Sequence, residues 1–393
     1  MRRSVVNPDD IVIREARTVA TSSTKTGAEI SKFRDGGLLI SYNRDLANVG
    51  YFSADGGKTW REVPWPGDCR CHAGLSDGTV LALSYTEGTQ EVGDGLFHYS
   101  SWRIAPGCER MEGPFITPVR IPEAKGGTGD DLQSFAGLLF WNSLIEMPDG
   151  RLLATMYGYF KGDDVPFKNA QLTAYIASLK ASGNPTGVPI TSPDTVEGFN
   201  KYRTIVVESR DWGASWDYLE TVAYDPEIGE EGPCEPSMKL LPNGELLCIM
   251  RTGYTHDRMC LCWSSDGGRT WTKPVLTHAY GVDPTLVVMQ DGTLACAYGV
   301  KGRDGGRRER RLMFSFDGRG ETWPVDVVVY AGIGGTYPSV CELGPGELLY
   351  AYDAIGFSDP QVEGRPRAYL RTSVVQLPGK AVERPVTPLP VDV

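Results

Sequence analysis

The chain is 393 residues long, carries a formal net charge of −11 and is 41% hydrophobic. That length supports a large core, and the acidic balance argues against generic binding to nucleic acid or to an anionic membrane. Residues 1–8 lack the apolar centre of a signal peptide and no run approaches a membrane span, which predicts a cytoplasmic protein, or a secreted one if a leader has been removed.

In chain order, the apolar run 11–19 precedes the first of six turn glycines: Gly36, Gly78, Gly150, Gly244, Gly292 and Gly346. Five follow Asp or Asn and the last follows Pro345, and strand-like residues flank each one, which predicts a hairpin at every glycine. A second signal falls between them. Ser53, Asp55, Gly57, Thr59 and Trp60 form a short loop pattern that returns at Ser209–Trp216 and Ser264–Trp271, and with one extra residue at Ser315–Trp323. Its Asp can accept backbone N–H groups, its Gly takes positive φ and its Trp packs across the turn. Because the same residues recur where no single active site could use them all, the loop is a structural device.

The box aspartates are 156, 55 and 51 residues apart, the first gap being three units of about 52, a period of propeller-blade size. The prediction is an all-β, six-bladed β-propeller of four-stranded antiparallel blades filling 1–393 as one domain, with the N-terminal strand closing the last blade. Blades two and six lack a box, and Ser100, Ser101 and Trp102 read as a worn remnant of one. Residues 105–140 and 160–202 exceed what blades need and read as insertions. The nine cysteines are an odd number, several lie in predicted strands, and neither Cys69/Cys71 nor Cys260/Cys262 has zinc-site spacing, so buried thiols and no cofactor are expected.

Turns joining strands 1–2 and 3–4 share one face, so function belongs on the other. Counting nine residues back from each turn glycine gives Gly27, Cys69, Trp141, Glu235, Asp283 and Tyr337; counting seven forward gives Asn43, Tyr85, Tyr157, Arg251, Gly299 and Asp353. These twelve positions should ring the mouth of the central channel, and their carboxylates, Arg and aromatics suit a polar ligand.

On these residues the sequence resembles the sialidase (neuraminidase) superfamily. The loops are its Asp boxes, Glu235 and Arg251 stand 16 apart, and the segment from Thr336 to Tyr350 is similar to the one carrying the family's nucleophilic Tyr. The resemblance implies that Tyr337 is the nucleophile, Glu235 the base that activates its phenol, and Arg251 part of a carboxylate-binding triad. It places the triad's third Arg in the basic stretch 301–311, at Arg308, with Arg307 and Arg310 as neighbours. The family's first Arg has no equivalent, leaving Lys25 as the nearby cation and Arg44 as a replacement from another direction. The expected acid/base Asp falls on Asn43; Asp45, or Asp130 or Asp131 from the long loop, would take its place. Asn142 and His256 are further candidate contacts, and Tyr85, Trp141, Tyr157 and Tyr254 would wall a sugar ring.

The resulting expectation is a retaining exo-glycosidase acting on a terminal acidic sugar of a glycan. Two alternatives stand beside it: an arabinanase-like carboxylate pair, Glu235 and Asp283, acting on another sugar, and a silent glycan-binding propeller. Oligomeric state is not legible.

Overall fold

The computed structural model describes residues 6–22, 27–44, 47–66, 69–85, 91–126, 138–166, 200–253, 257–300, 308–356 and 367–378, with the side chains of 43, 44, 47, 48 and 356 left aside. It is a six-bladed β-propeller. Blade one is Ala28–Lys32, Leu38–Arg44, Ala47–Ser53 and Arg61–Val63; blade four is Cys234–Leu240, Leu246–Arg251, Arg258–Ser264 and Val275–Tyr280; blade five is Val282–Val288, Leu294–Val300, Arg308–Ser315 and Val325–Gly332. Blade six takes Ser339–Gly344, Glu347–Gly356 and Arg367–Gln376 from the C-terminal end, and the N-terminal strands Arg17–Ser22 and Val12–Ile13 pair antiparallel with its last strand.

Blades two and three share one sheet. Blade two is Cys71–Gly74, Val80–Leu83, Leu96–Ile104 and Met111–Arg120; blade three is Leu139–Glu146, Leu152–Gly158, Arg203–Ser209 and Trp216–Ala223; their outer strands touch in parallel at Val119 and Trp216. Two expectations are corrected here. The segment 105–140 is not all insertion, because Met111–Arg120 is the fourth strand of blade two; as an outer strand it faces solvent over most of its length and therefore carries little apolar pattern. Ser100, Ser101 and Trp102 lie inside a strand, at a bulge, and not in a box loop.

The turn chemistry explains the repeat. All six turn glycines hold positive φ, from 71° at Gly346 to 92° at Gly36. In the first box, Asp55 accepts the backbone N–H groups of Lys58 and Thr59 at 3.0 and 2.9 Å and the Thr59 hydroxyl at 2.6 Å, while the Trp60 indole donates to Gly57 O. Asp266 repeats this set, and Asp317 absorbs its extra residue by accepting from Arg319, Gly320 and Thr322.

The core lies between blades. Leu247 and Ile249 of blade four pack on Leu286, Leu294 and Cys296 of blade five, and equivalent clusters recur around the ring. All nine cysteines are free thiols, eight of them buried. Among the described residues no group of His, Cys, Asp and Glu could hold a metal, and no helix is long and apolar enough to cross a membrane.

Candidate functional site

The first strands of blades four and five each carry one extra residue against their second strands, and that of blade three carries two. A bulge of this kind re-aims side chains toward the channel. Three non-glycine residues sit in these bulges at positive φ: Asn142 at 41°, Glu235 at 45° and Asp283 at 50°. Each costs about 1–3 kcal/mol of backbone strain, which points to a functional constraint.

Glu235 is the hub. Its Oε1 accepts the Tyr337 hydroxyl at 2.9 Å and Arg251 Nη1 at 2.7 Å, and its Oε2 accepts the backbone N–H of Asp283 at 2.9 Å. Arg251 also donates to Gly253 O at 3.0 Å, to Tyr337 Oη at 3.4 Å and to the buried carboxylate of Glu231 at 2.6 Å. Burial opposes the Arg251 charge, but Glu231 and Glu235 outweigh it and hold the guanidinium firmly protonated. For Tyr337, burial and then Glu235 push the phenol well above its ordinary value of 10 against the pull of Arg251, so the proton stays until a base takes it.

Asp283 is fully buried. The Trp141 indole donates to its Oδ1 at 3.1 Å, and its Oδ2 has no hydrogen-bond partner among the described residues. Burial, then Glu29 and Glu235, raise its carboxyl well above the usual range. Asn142 donates to Thr285 Oγ1 at 2.9 Å and so joins blade three to blade five. Trp141 anchors the aromatic wall, with ring centroids 5.3 Å from Tyr85, 5.7 Å from Tyr157 and 6.1 Å from Tyr337.

Two residues escaped the sequence reading. Arg70 lies with its guanidinium over the rings of Trp141, Tyr85 and Tyr337, at 5.1, 5.6 and 5.7 Å. Glu29, in the first strand of blade one, is 4% exposed, and burial lifts its carboxyl to about 8 against the pull of Arg70 and with help from Glu235. Both stand one or two residues past the ninth position before the turn. Arg70, like Asn142, stands eight before its glycine, and counting one position further toward the turn would have drawn attention to it.

The other expected residues fall differently. Arg308 is half-buried and donates to Gly334 O at 3.0 Å, placing it on the loop that carries Tyr337. Arg310 is fully buried and is bound to Asp353 through both the backbone carbonyl, at 2.8 Å, and Oδ1, at 3.2 Å. His72, in the first strand of blade two, bridges Ser31 and Ser41, and burial lowers its pKa to about 3, as suits a structural partner. Asn43 and Arg44 pair in the blade-one sheet with Asn48 and Ala47. Lys25, Asp45, Asp130, Asp131, Tyr254, His256 and Arg307 lie outside the described residues.

A family model described as a BNR repeat-like domain matches residues 180–349, the stretch holding Glu235, Arg251 and Tyr337. No curated protein matches the chain. Among solved structures, a protein of unknown function from Dyadobacter fermentans DSM 18053 is 20% identical at a TM-score of 0.66, covering 94% of this chain and 99% of that one. The Hadza microbial sialidase Hz136 is 14% identical at 0.57, covering 91% and 66%, and the Penicillium chrysogenum α-L-arabinanase complexed with arabinobiose is 12% identical at 0.56, covering 93% and 98%. At these identities the likeness is one of fold. By blade topology and these likenesses the chain has a six-bladed β-propeller fold, and its residues 180–349 match the BNR repeat-like domain.

Proposed function

We propose that the chain is a retaining exo-glycosidase of sialidase type acting on a terminal acidic sugar. Tyr337 is the nucleophile, Glu235 takes its proton, and Arg251 binds the sugar carboxylate. The observation that carries this reading is the Tyr337 hydroxyl donating to Glu235 at 2.9 Å with Arg251 bonded to the same carboxylate oxygen. A phenol held protonated by burial is a poor nucleophile until a carboxylate draws off its proton during attack. A neutral phenol also approaches an anomeric carbon beside a substrate carboxylate without the repulsion that a carboxylate nucleophile would meet.

A second reading is favoured by what Arg251 already holds. Its donors go to Glu231, Glu235, Gly253 and Tyr337, so a sugar carboxylate would have to displace a protein partner to gain a two-pronged grip. A neutral sugar has no such requirement, and for it Glu235 and the neutral carboxyl of Asp283 would form an arabinanase-like pair.

Chromogenic sialosides, uronides and arabinosides, offered to wild type and to Tyr337→Phe, separate these readings. The first predicts cleavage of an acidic glycoside and a loss of about a thousandfold in the variant. An arabinoside cleaved equally well by both proteins supports the second reading, and a propeller that binds glycans without cleaving any is a lectin.

A further inference from the structure

We propose that Glu29 is the acid/base of this site, giving its proton to the leaving-group oxygen and later taking one from the attacking water. This rests on the glycosidase reading above and supplies the proton donor which that reading needs.

The position of Glu29 in the repeat is the first argument. Seven residues before the turn glycine, four blades carry a hydroxyl that stitches one blade to another. Ser143 accepts the N–H of Met238 at 2.7 Å, Ser237 that of Leu286 at 2.9 Å and Ser339 that of Ile30 at 3.1 Å, while Thr285 donates to Pro338 O at 3.1 Å. Blade two has Cys71, whose thiol donates to Ser143 O at 3.5 Å. Blade one alone places a carboxyl there. A hydroxyl would serve the stitching, whereas Glu29 is buried with its Oε1 lacking a hydrogen-bond partner among the described residues. A buried carboxyl oxygen without a hydrogen bond is a cost to the fold, and a protonated carboxyl in that place brings a transferable proton.

Its direction of approach is the second argument. Blades one and four oppose each other in a six-membered ring, so Glu29 and Glu235 reach the channel from opposite sides. The strand of Glu29 also lies against the nucleophile: Ala28 N–H donates to Tyr337 O at 3.2 Å, and a Cβ on Gly27 would stand 2.8 Å from Tyr337 Cβ. Asp283, the other buried acid, is tied through its backbone N–H to Glu235 Oε2 and through Oδ1 to the Trp141 indole, so it sits with the proposed base and not across the ring from it.

The surroundings keep the proton in place. Burial dominates and, against the pull of Arg70 and with the push of Glu235, holds the carboxyl protonated to about 8; Lys239 of blade four, Cys71 of blade two and Asp283 of blade five share the same electrostatic field. In the first step the Tyr337 oxygen bonds to the anomeric carbon as its proton passes to Glu235; the glycosidic C–O bond breaks and the leaving oxygen takes the Glu29 proton. In the second, a water oxygen bonds to that carbon as Glu29 takes the water's proton; the bond to Tyr337 breaks and Glu235 returns its proton to the phenolate.

The test compares wild type with Glu29→Gln on glycosides of whichever sugar the wild type cleaves, with alkyl and dinitrophenyl leaving groups. For the alkyl glycoside, kcat/KM should fall about a thousandfold, and for the dinitrophenyl glycoside it should stay within about tenfold, because only the poor leaving group needs the proton. Azide should restore turnover, and the basic limb of the pH–rate profile should vanish. Glu29→Ser, which installs the residue other blades hold, guards against misfolding and should show the same leaving-group dependence. Equal losses on both glycosides, or none, overturn the assignment. A wild type that cleaves no glycoside defeats the proposed function and Glu29's role with it; a Tyr337-dependent wild type indifferent to Glu29→Gln defeats only the latter.

Discussion

Gly27 of blade one leaves no space for a side chain beside Tyr337 of blade six: a Cβ there would stand 2.8 Å from Tyr337 Cβ and 2.9 Å from Arg70 Nη1. The Arg70 tip can yield, but the Tyr337 Cβ is fixed to its backbone. Gly27→Ala should therefore shift the phenol away from Glu235 and lower kcat about a hundredfold, with a stability loss of only about 1–2 kcal/mol. Kinetics beside a urea titration measure both.

Arg310 and Asp353 hold the loop that ends in Tyr337. Arg310 Nη2 donates to Asp353, and Asp353 Oδ2 accepts the Gly335 N–H at 2.5 Å, two residues before Tyr337. Arg310→Ala leaves a buried carboxylate without its partner and should cost about 3–5 kcal/mol in chemical denaturation. A loss below about 1 kcal/mol would contradict the burial described for this pair.

Ser237 stitches blade four to blade five through the Leu286 N–H. Ser237→Ala should cost about 1–2 kcal/mol, the price of an unpaired buried donor, measured as a lower urea midpoint at unchanged slope.

Stability should fall toward both ends of the pH scale for identifiable reasons. Glu29 holds its proton to about 8 in the folded chain and to 4.5 in its ordinary state, so the unfolded chain binds fewer protons between those values and stability declines as pH rises through them. His72 behaves oppositely: its folded value is about 3 against 6.5, so the unfolded chain gains protons as pH falls below 6.5 and stability declines in that direction. Thermal midpoints across pH should show a flatter alkaline limb in Glu29→Gln and a flatter acidic limb in His72→Asn.

Turns and boxes were legible because their chemistry is local: a glycine at positive φ, or an Asp capping the next few N–H groups, needs nothing from the rest of the chain. Glu235, Arg251, Asp283 and Tyr337 were legible because the repeat carries that local signal to one end of every blade. Arg70 and Glu29 were not, since counting back from a turn assumes the same bulge in each first strand. Blade one has none, its pairs running unbroken from Ala28 with Tyr42 to Lys32 with Leu38, while blade three has two extra residues. The strand Met111–Arg120 was hidden for another reason: an outer strand buries few side chains and needs little apolar alternation.

The most direct test of Tyr337 as nucleophile is to trap it. A fluorinated analogue of whichever glycoside the wild type cleaves, activated at the anomeric carbon, should slow release of the intermediate and leave one sugar bound to the protein. Peptide mass spectrometry should find that sugar on Tyr337. A sugar found on Glu235 or Asp283, or turnover of the analogue with inversion and no adduct, would contradict the assignment.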